Sequence, residues 1–384
     1  MKLGKDSTFD DLREGVQAIC ERFDGAYWRG LEPEGYPSEF VTALTEAGFL
    51  GALVPEEYGG GGASLTEASI ILEEISASGG NPAACHAQMY IMGTLLRHGS
   101  ADQKQRYLPG IASGELRLQA FGVTEPEAGS ETTRIRTRAE RVPEGWRING
   151  QKIWTSRAMY SDLMLLLART TPLEECAKPT DGLSTFIFDI RDLPGLTIKP
   201  IPTMINHNTT EVFFDDVVIP EDALIGELGK GFRYILDGMN AERILIASEC
   251  IGDGRFLLQK AVDYANERVI FGHEIGANQG VQFPLARAYA QLRAADMIRF
   301  EAARLFDAGE KCAEEANMAK FLASEASWAA ANAALDTHGG FGFAVEYDVE
   351  RKFRETRLYQ VAPINNNLVL AYLGQHVLGL PKSY

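Results

Sequence analysis

The chain reads as a mainly α-helical protein with a central β domain, and three observations lead there. Apolar residues recur at helical spacing from Phe9 to about Gly114, for instance Leu65, Ala68, Ile71, Leu72 and Ile75. Short apolar runs separated by turn residues fill the stretch from about Leu118 to Pro220. Long Ala- and Leu-rich stretches then return. The expected division is an N-terminal helical domain over 1–118, a small β domain over 119–227 and a C-terminal helical bundle over 228–384.

In the first region, the glycine run 59–62 and the Gly79-Gly80 pair act as breakers. Ser64 followed three residues later by Glu67 is spaced for a capping box, in which each residue satisfies an N–H that the helix start leaves without a partner. In the middle region the strand candidates are Trp146 to Ile148, Leu163 to Ala168, Thr185 to Ile190, Leu196 to Ile201 and Glu211 to Ile219. Pro143-Glu144-Gly145 and Asn149-Gly150 supply turns, and the segment from Thr170 to Gly182 reads as an exposed loop. After Gly231 the spacing predicts helices over 232–266, 280–308 and 312–337. The sequence contains no internal repeat and no low-complexity tail.

Composition narrows the function. With 384 residues and 45% hydrophobic content the chain can bury substantial cores. A formal charge of −16 opposes nucleic-acid binding, which needs clustered Lys and Arg against phosphates. No segment approaches the ~20 uninterrupted apolar residues of a membrane span, and Met1 to Asp6 lead into no hydrophobic signal region, so a cytoplasmic location with no membrane partner is expected. Five cysteines lie far apart without a CxxC pair, and six scattered histidines offer no HxxxH or HxH pair, so neither disulfides nor a metal site is expected.

Two segments carry residue types suited to a heteroaromatic cofactor. Phe121 to Ser130 reads Phe-Gly-Val-Thr-Glu-Pro-Glu-Ala-Gly-Ser, and Lys152 to Ser156 reads Lys-Ile-Trp-Thr-Ser. Thr124, Ser130, Thr155 and Ser156 bring hydroxyls, and Trp154 an aromatic face. From residue type alone they read more readily as strand packing.

A third feature is a carboxylate in an apolar stripe. Ile235, Met239, Glu242 and Ile246 share one face of a predicted helix, and the i±3 and i±4 neighbours of Glu242 include no cation. A partly desolvated glutamate has its pKa pushed upward, toward a useful general base. The alternative is that this face ends at a solvated edge and Glu242 reaches water, and Glu249 shares the ambiguity. Arg268 to Gly272 and His338 to Phe343 read either as helix ends or as phosphate-approach elements.

In order, these pieces resemble the acyl-CoA dehydrogenase family over nearly the whole chain. The resemblance rests on Pro55-Glu56-Glu57-Tyr58-Gly59-Gly60, Val123-Thr124-Glu125-Pro126-x-Ala128-Gly129-Ser130, Asn149-Gly150-x-Lys152-x-Trp154 and Phe214-x-Asp216-Val217-x-Ile219-Pro220. Arg268-x-x-Phe271-Gly272 with Gln279, and Gly339-Gly340-x-Gly342-Phe343, complete it. It implies a helical domain, a small β barrel and a C-terminal four-helix bundle that bind FAD, usually as a homotetramer, with a dimer as the alternative.

By matching position, the resemblance places Phe121, Val123, Thr124, Gly129, Ser130, Trp154, Thr155 and Ser156 on the flavin, with Ser130 also near the CoA pantetheine. Ser156 stands where the family usually has Thr. Arg268, Phe271, Gln279, Gly339 and Gly340 would reach the FAD of a neighbouring subunit, while Asp336 departs from the usual Gln. Where many members carry a C-terminal catalytic Glu, this chain has Ala362-Pro363-Ile364-Asn365-Asn366-Asn367, so Pro363 replaces the base and Asn365 and Asn367 become FAD candidates.

The family's second location for the base is the bundle's first helix, as in isovaleryl-CoA and long-chain types, where Arg follows the Glu. Glu242-Arg243 fits, with Arg243 as a substrate contact. The implied activity is FAD-dependent α,β-dehydrogenation of an acyl-CoA to the trans-2-enoyl-CoA, as part of fatty acid metabolism, with electrons passed to an electron-transferring flavoprotein. The alternatives are a flavin-dependent oxidase or monooxygenase of the same fold, or a non-catalytic FAD-binding relative.

Overall fold

The computed structural model describes residues 7–382; Met1 to Asp6, expected to lead into no signal region, lie outside the described residues. Six helices come first: α1 Asp10–Cys20, α2 Gly25–Gly30, α3 Ser38–Glu46, α4 Leu65–Ala77, α5 Ala83–His98 and α6 Ala101–Ser113. Eight strands follow: β1 Leu118–Gly122, β2 Arg138–Val142, β3 Gly145–Ser156, β4 Leu163–Arg169, β5 Leu183–Asp189, β6 Leu196–Pro200, β7 Thr209–Ile219 and β8 Leu224–Ile225. The chain then returns to helix with α7 Gly231–Glu267, a short hairpin of β9 Val269–Ile270 and β10 His273–Glu274, and α8 Gln279–Asp307, α9 Ala313–His338, α10 Val349–Leu358 and α11 Asn366–Tyr372.

These elements form two compact units that do not follow chain order. One gathers residues up to Glu32, Ser64–Pro82 and Asn240–Tyr384; the other gathers Pro33–Ala63 and Ala83–Met239. Thus α4 belongs with the C-terminal helices, while α5 and α6 belong with the strands.

In the strand unit, β4 is buried at all seven positions, which explains its unbroken Leu-Met-Leu-Leu-Leu-Ala run. Successive residues point to opposite faces, so Leu163 and Leu165 meet Ile91, Leu95 and Leu108 of α5 and α6. Met164, Leu166 and Ala168 enter the core shared with Trp146, Phe186 and Phe214. The strand order is β6-β7-β3-β2-β4-β5-β8, with β1 added beside β4. Leu196 and Ile198 from one end of this order and Leu224 from the other pack on the same core, so the sheet rolls up like a barrel. Among the described residues no ladder joins β6 to β8.

In the helical unit, the Ser64–Glu67 capping box forms as the spacing requires. Asp307, at the end of α8, adds a cap from outside: its carboxylate accepts from Leu65 N at 2.8 Å and Thr66 N at 3.1 Å. Helix α4 is buried almost all round, Glu73 and Glu74 included, at 2% exposure each. These two acids are met by Arg13 of α1, Arg255 of α7 and Arg299 of α8. No disulfide links the five cysteines, and no helix among the described residues is long and apolar enough to cross a membrane.

Candidate active site

In the strand unit the two cofactor-type segments meet at the ends of β1 and β3. Ile153 N donates to Thr124 O at 2.9 Å. The β3–β7 register slips between Lys152 and Thr155, a bulge that turns Trp154 outward. Trp154 is 56% exposed and sits at φ 61°, a left-handed conformation that a bulky side chain adopts only under constraint from its surroundings.

On either side of Trp154 the chain is tied down. Thr155 O accepts from Thr210 Oγ1 at 2.6 Å, and Ser156 Oγ accepts from Asn206 Nδ2 at 2.7 Å. Thr155 Oγ1 is buried and has no hydrogen-bond partner among the described residues. Phe121, Val123 and Thr124 are half-buried, and Gly129 and Ser130 are exposed. Nearly nothing lies where a Gly129 side chain would project, Thr124 Cγ2 at 4.0 Å being the nearest atom.

One interaction at this site joins residues that no local pattern pairs. Lys152, fully buried, donates to Val123 O at 2.9 Å and to Glu125 Oε1 at 2.8 Å. Burial would raise the Glu125 carboxyl, but the Lys152 ammonium and the Thr137 and Arg136 donors outweigh it and hold it below the usual carboxylate range. Burial pushes the Lys152 ammonium down to about 8, against the pull of Glu125. The residues stand 27 positions apart, and no helix or strand periodicity pairs them.

In the helical unit, Glu242 of α7 is 4% exposed, so the solvated-edge alternative does not hold. Glu249 and Asp253, farther along the same helix, are also buried, at 2% and 0%. Asp253 is bonded to Lys352 Nζ at 2.7 Å and to Tyr359 OH at 2.9 Å. The sequence showed no cation at helical spacing from Glu242, yet two cations act on it. Burial lowers the Arg243 guanidinium while Glu242 pulls it back up. Lys320 of α9, pushed down to about 8 chiefly by burial, also feels Glu242 and Arg243. Lys320 is 78 residues further along the chain, beyond the reach of any local pattern.

The C-terminal candidates divide. Asn365 accepts from Leu368 N at 3.0 Å and so caps α11, and Asn367 is exposed. The intervening Asn366 turns inward, its Oδ1 accepting from Lys320 Nζ at 2.7 Å. Pro363 stands in the segment before α11, and the sequence has no Asp or Glu after Glu355. Glu355 itself is committed to Lys352 at 2.6 Å and Arg351 at 3.3 Å.

The remaining candidates gather at the far end of α7. Arg268 and Gln279 are exposed, and Phe271, at the tip of the β9–β10 hairpin with φ 54°, is 97% exposed. Gly339 caps α9 at φ 57° and opens a turn through Phe343, so the helix-end reading of that glycine pair is realised. Tyr264 of α7 stacks on His338 at 4.4 Å, bringing the turn beside the helix end that leads into Arg268. Among the described residues no group of His, Cys, Asp or Glu is arranged to hold a metal ion.

Comparison with known proteins identifies this arrangement. The N-terminal, middle and C-terminal domains of acyl-CoA dehydrogenases match residues 7–115, 120–217 and 229–367. The chain is 39% identical to the acyl-CoA dehydrogenase FadE12 of Mycobacterium tuberculosis over 97% of its own length and 96% of that protein. Its structure superposes on a glutaryl-coenzyme A dehydrogenase in complex with glutaryl-CoA with a TM-score of 0.91 and 29% identity, covering 100% of this chain and 98% of the other. A glutaryl-CoA dehydrogenase from Mycobacterium smegmatis in complex with FADH2 gives a TM-score of 0.90 at 25% identity, with 99% and 96% covered. Fold and cofactor class therefore define a FAD-dependent flavoprotein oxidoreductase. The chain belongs to the acyl-CoA dehydrogenase family.

FAD suits the residues present. A flavin needs apolar contact on its faces and hydrogen-bonding groups at its edge, and the β1–β3 junction offers an outward Trp154, open space at Gly129 and an unsatisfied buried Thr155 hydroxyl.

Proposed function

We propose that this enzyme removes the Cα proton and the Cβ hydride of an acyl-CoA thioester, giving the trans-2-enoyl-CoA, with Glu242 as the base. The observation that carries this reading is the burial of Glu242 on α7 in a chain with no acid after Glu355. When bound, FAD supplies the hydride acceptor, and the electrons leave to an electron-transferring flavoprotein.

Glu242 takes the proton, and its shielding from solvent keeps water from competing for it. Arg243 and Lys320 are the cations whose electrostatics Glu242 touches, and both are themselves held down chiefly by burial. Arg243, whose Nη1 also bonds Asn240 Oδ1 at 3.1 Å, is thereby oriented as a substrate contact. Phe121, Val123, Thr124, Gly129, Ser130, Trp154, Thr155 and Ser156 hold the flavin, Ser130 also touches the pantetheine, and Asn365 and Asn367 serve the cofactor from the C-terminal segment.

Arg268, Phe271, Gln279, Gly339 and Gly340 complete the FAD site of a neighbouring subunit in a homotetramer. An aromatic side chain exposed as fully as Phe271 is what such an interface covers. The reaction belongs to fatty acid metabolism in the cytoplasm.

Glu242→Gln is the test. FAD should still bind, while anaerobic bleaching of the flavin by acyl-CoA should slow by at least about 10³-fold, the scale of a lost general base. Bleaching at the wild-type rate, or loss of bleaching in Glu249→Gln instead, would reject the assignment. Screening acyl-CoAs from about C4 to about C16, branched ones included, would define the substrate.

A further inference from the structure

We propose that Lys152 and Glu125 act together as a positioning device that sets the two cofactor-holding segments in one arrangement before FAD arrives. The proposal rests on the reading that Val123 to Ser130 and Trp154 to Ser156 hold the flavin.

From one ammonium the connections reach both cofactor-holding segments. Lys152 Nζ fixes the Val123 carbonyl at 2.9 Å and the Glu125 carboxylate at 2.8 Å. Glu125 in turn accepts from Arg136 N at 2.6 Å and Thr137 N at 2.8 Å, pinning the returning chain. The Glu125 backbone closes a tight turn with Ala128, through bonds of 3.2 and 3.1 Å, that delivers Gly129 and Ser130. One residue beyond Lys152, Ile153 N fastens Thr124 O at 2.9 Å and starts the bulge that swings Trp154 outward.

A purely structural role does not account for the charges. A buried ion pair stabilises a fold little better than apolar residues of the same volume, because desolvation offsets most of the attraction. Apolar side chains would leave the Val123 carbonyl and the Arg136 and Thr137 N–H groups unsatisfied. The pair thus contributes direction, which is what a pre-set binding loop requires.

The charge is also removable. Burial pushes the Lys152 ammonium down to about 8, so its proton is lost as pH rises through that value. Glu125 is the charged group that faces it. Arg136 turns its guanidinium to Glu127 at the surface, and Arg169 of β4 gives its own to the carbonyls of Thr133 and Ile135. Above about pH 8 the Glu125 carboxylate therefore faces a neutral amine, whose bonds to it and to the Val123 carbonyl are no longer charge-assisted.

The experiment uses the FAD-loaded enzyme and follows two quantities, FAD dissociation by recovery of flavin fluorescence and Tm, from about pH 6.5 to about pH 9.5. Wild-type Kd should rise about ten-fold or more above pH 8, the equivalent of one lost charge-assisted bond. Lys152→Arg, which keeps its charge across the range, should flatten that rise. Lys152→Met and Glu125→Gln should each lower Tm and weaken FAD binding. The double variant should regain part of the lost Tm, the Val123 carbonyl still lacking its donor, while its Kd stays about ten-fold high. A wild-type Kd flat through about pH 9.5, or a double variant that recovers FAD affinity together with Tm, would overturn the proposal. Glu242→Gln tests the base separately, and an unchanged Kd in Trp154→Ala would reject the flavin placement itself.

Discussion

Arg299 Nη2 lies 2.8 Å from Glu73 Oε2, with side chains 0% and 3% exposed, joining α8 to α4 across 226 residues of sequence. Around this pair gather Arg13, Arg255, Glu74 and Asp296, and Asp296 also meets the half-buried Arg293 at 3.2 Å. The same Arg299 also donates to Ser69 at 2.8 Å. Four helices thus share one polar knot, distinct from the Asp253–Lys352–Glu355 cluster in the same unit.

Breaking that knot on one side should be costly. Arg299→Met takes one of three guanidiniums from the buried Glu73 and leaves Asp296 with Arg293, and we expect a loss of about 3 kcal/mol, the low end for breaking a buried pair. Denaturant titration of wild type and variant measures it, and a difference under about 1 kcal/mol would show the charges to be independent of one another.

Acid should act through the same group. Burial would raise the Glu73 carboxyl, but Arg299, Arg255 and Arg13 outweigh it and bring it down to about 2. A depressed acid contributes stability that is fully present above about pH 4.5 and lost as pH falls through about 2, worth about 3 kcal/mol. Glu73→Gln should flatten that part of the stability curve, and a variant with the wild-type slope would locate the acid sensitivity elsewhere.

The cap that Asp307 places on α4 is separable from the knot. Asp307→Ala removes the acceptor for Leu65 N and Thr66 N, and should lower stability by about 1 kcal/mol without changing the denaturant m-value. An unchanged midpoint would mean that the Ser64–Glu67 box suffices.

Trp154 should behave oppositely. At 56% exposure it adds little to the fold, so Trp154→Ala should shift stability by less than about 1 kcal/mol. Its aromatic face should matter to the cofactor, raising the FAD Kd about ten-fold or more. Equal losses of stability and affinity would point to packing instead.

Much of the fold was legible because it follows local periodicity. The spacing predicts helices over 232–266, 280–308 and 312–337, and the structure has Gly231–Glu267, Gln279–Asp307 and Ala313–His338. The candidate site was legible only in part. Glu242 stood out as a carboxylate on an apolar face, yet its cation Lys320 comes from another helix, and Asn366 rather than its neighbours turns inward to hold that lysine. Lys152 and Glu125 were visible as letters of two motifs without a bond between them.

By itself, then, the sequence determined where helices and strands run, which faces are apolar and which family the motifs resemble, since each of these depends on neighbours within a turn or two. Only the tertiary structure decided that α4 packs with the C-terminal helices, that the sheet rolls about one core, and which charge meets which in the interior. The physical reason is one of range. Periodicity acts over a few residues, whereas a buried ion pair is selected by the cost of leaving either charge alone, wherever in the chain its partner lies.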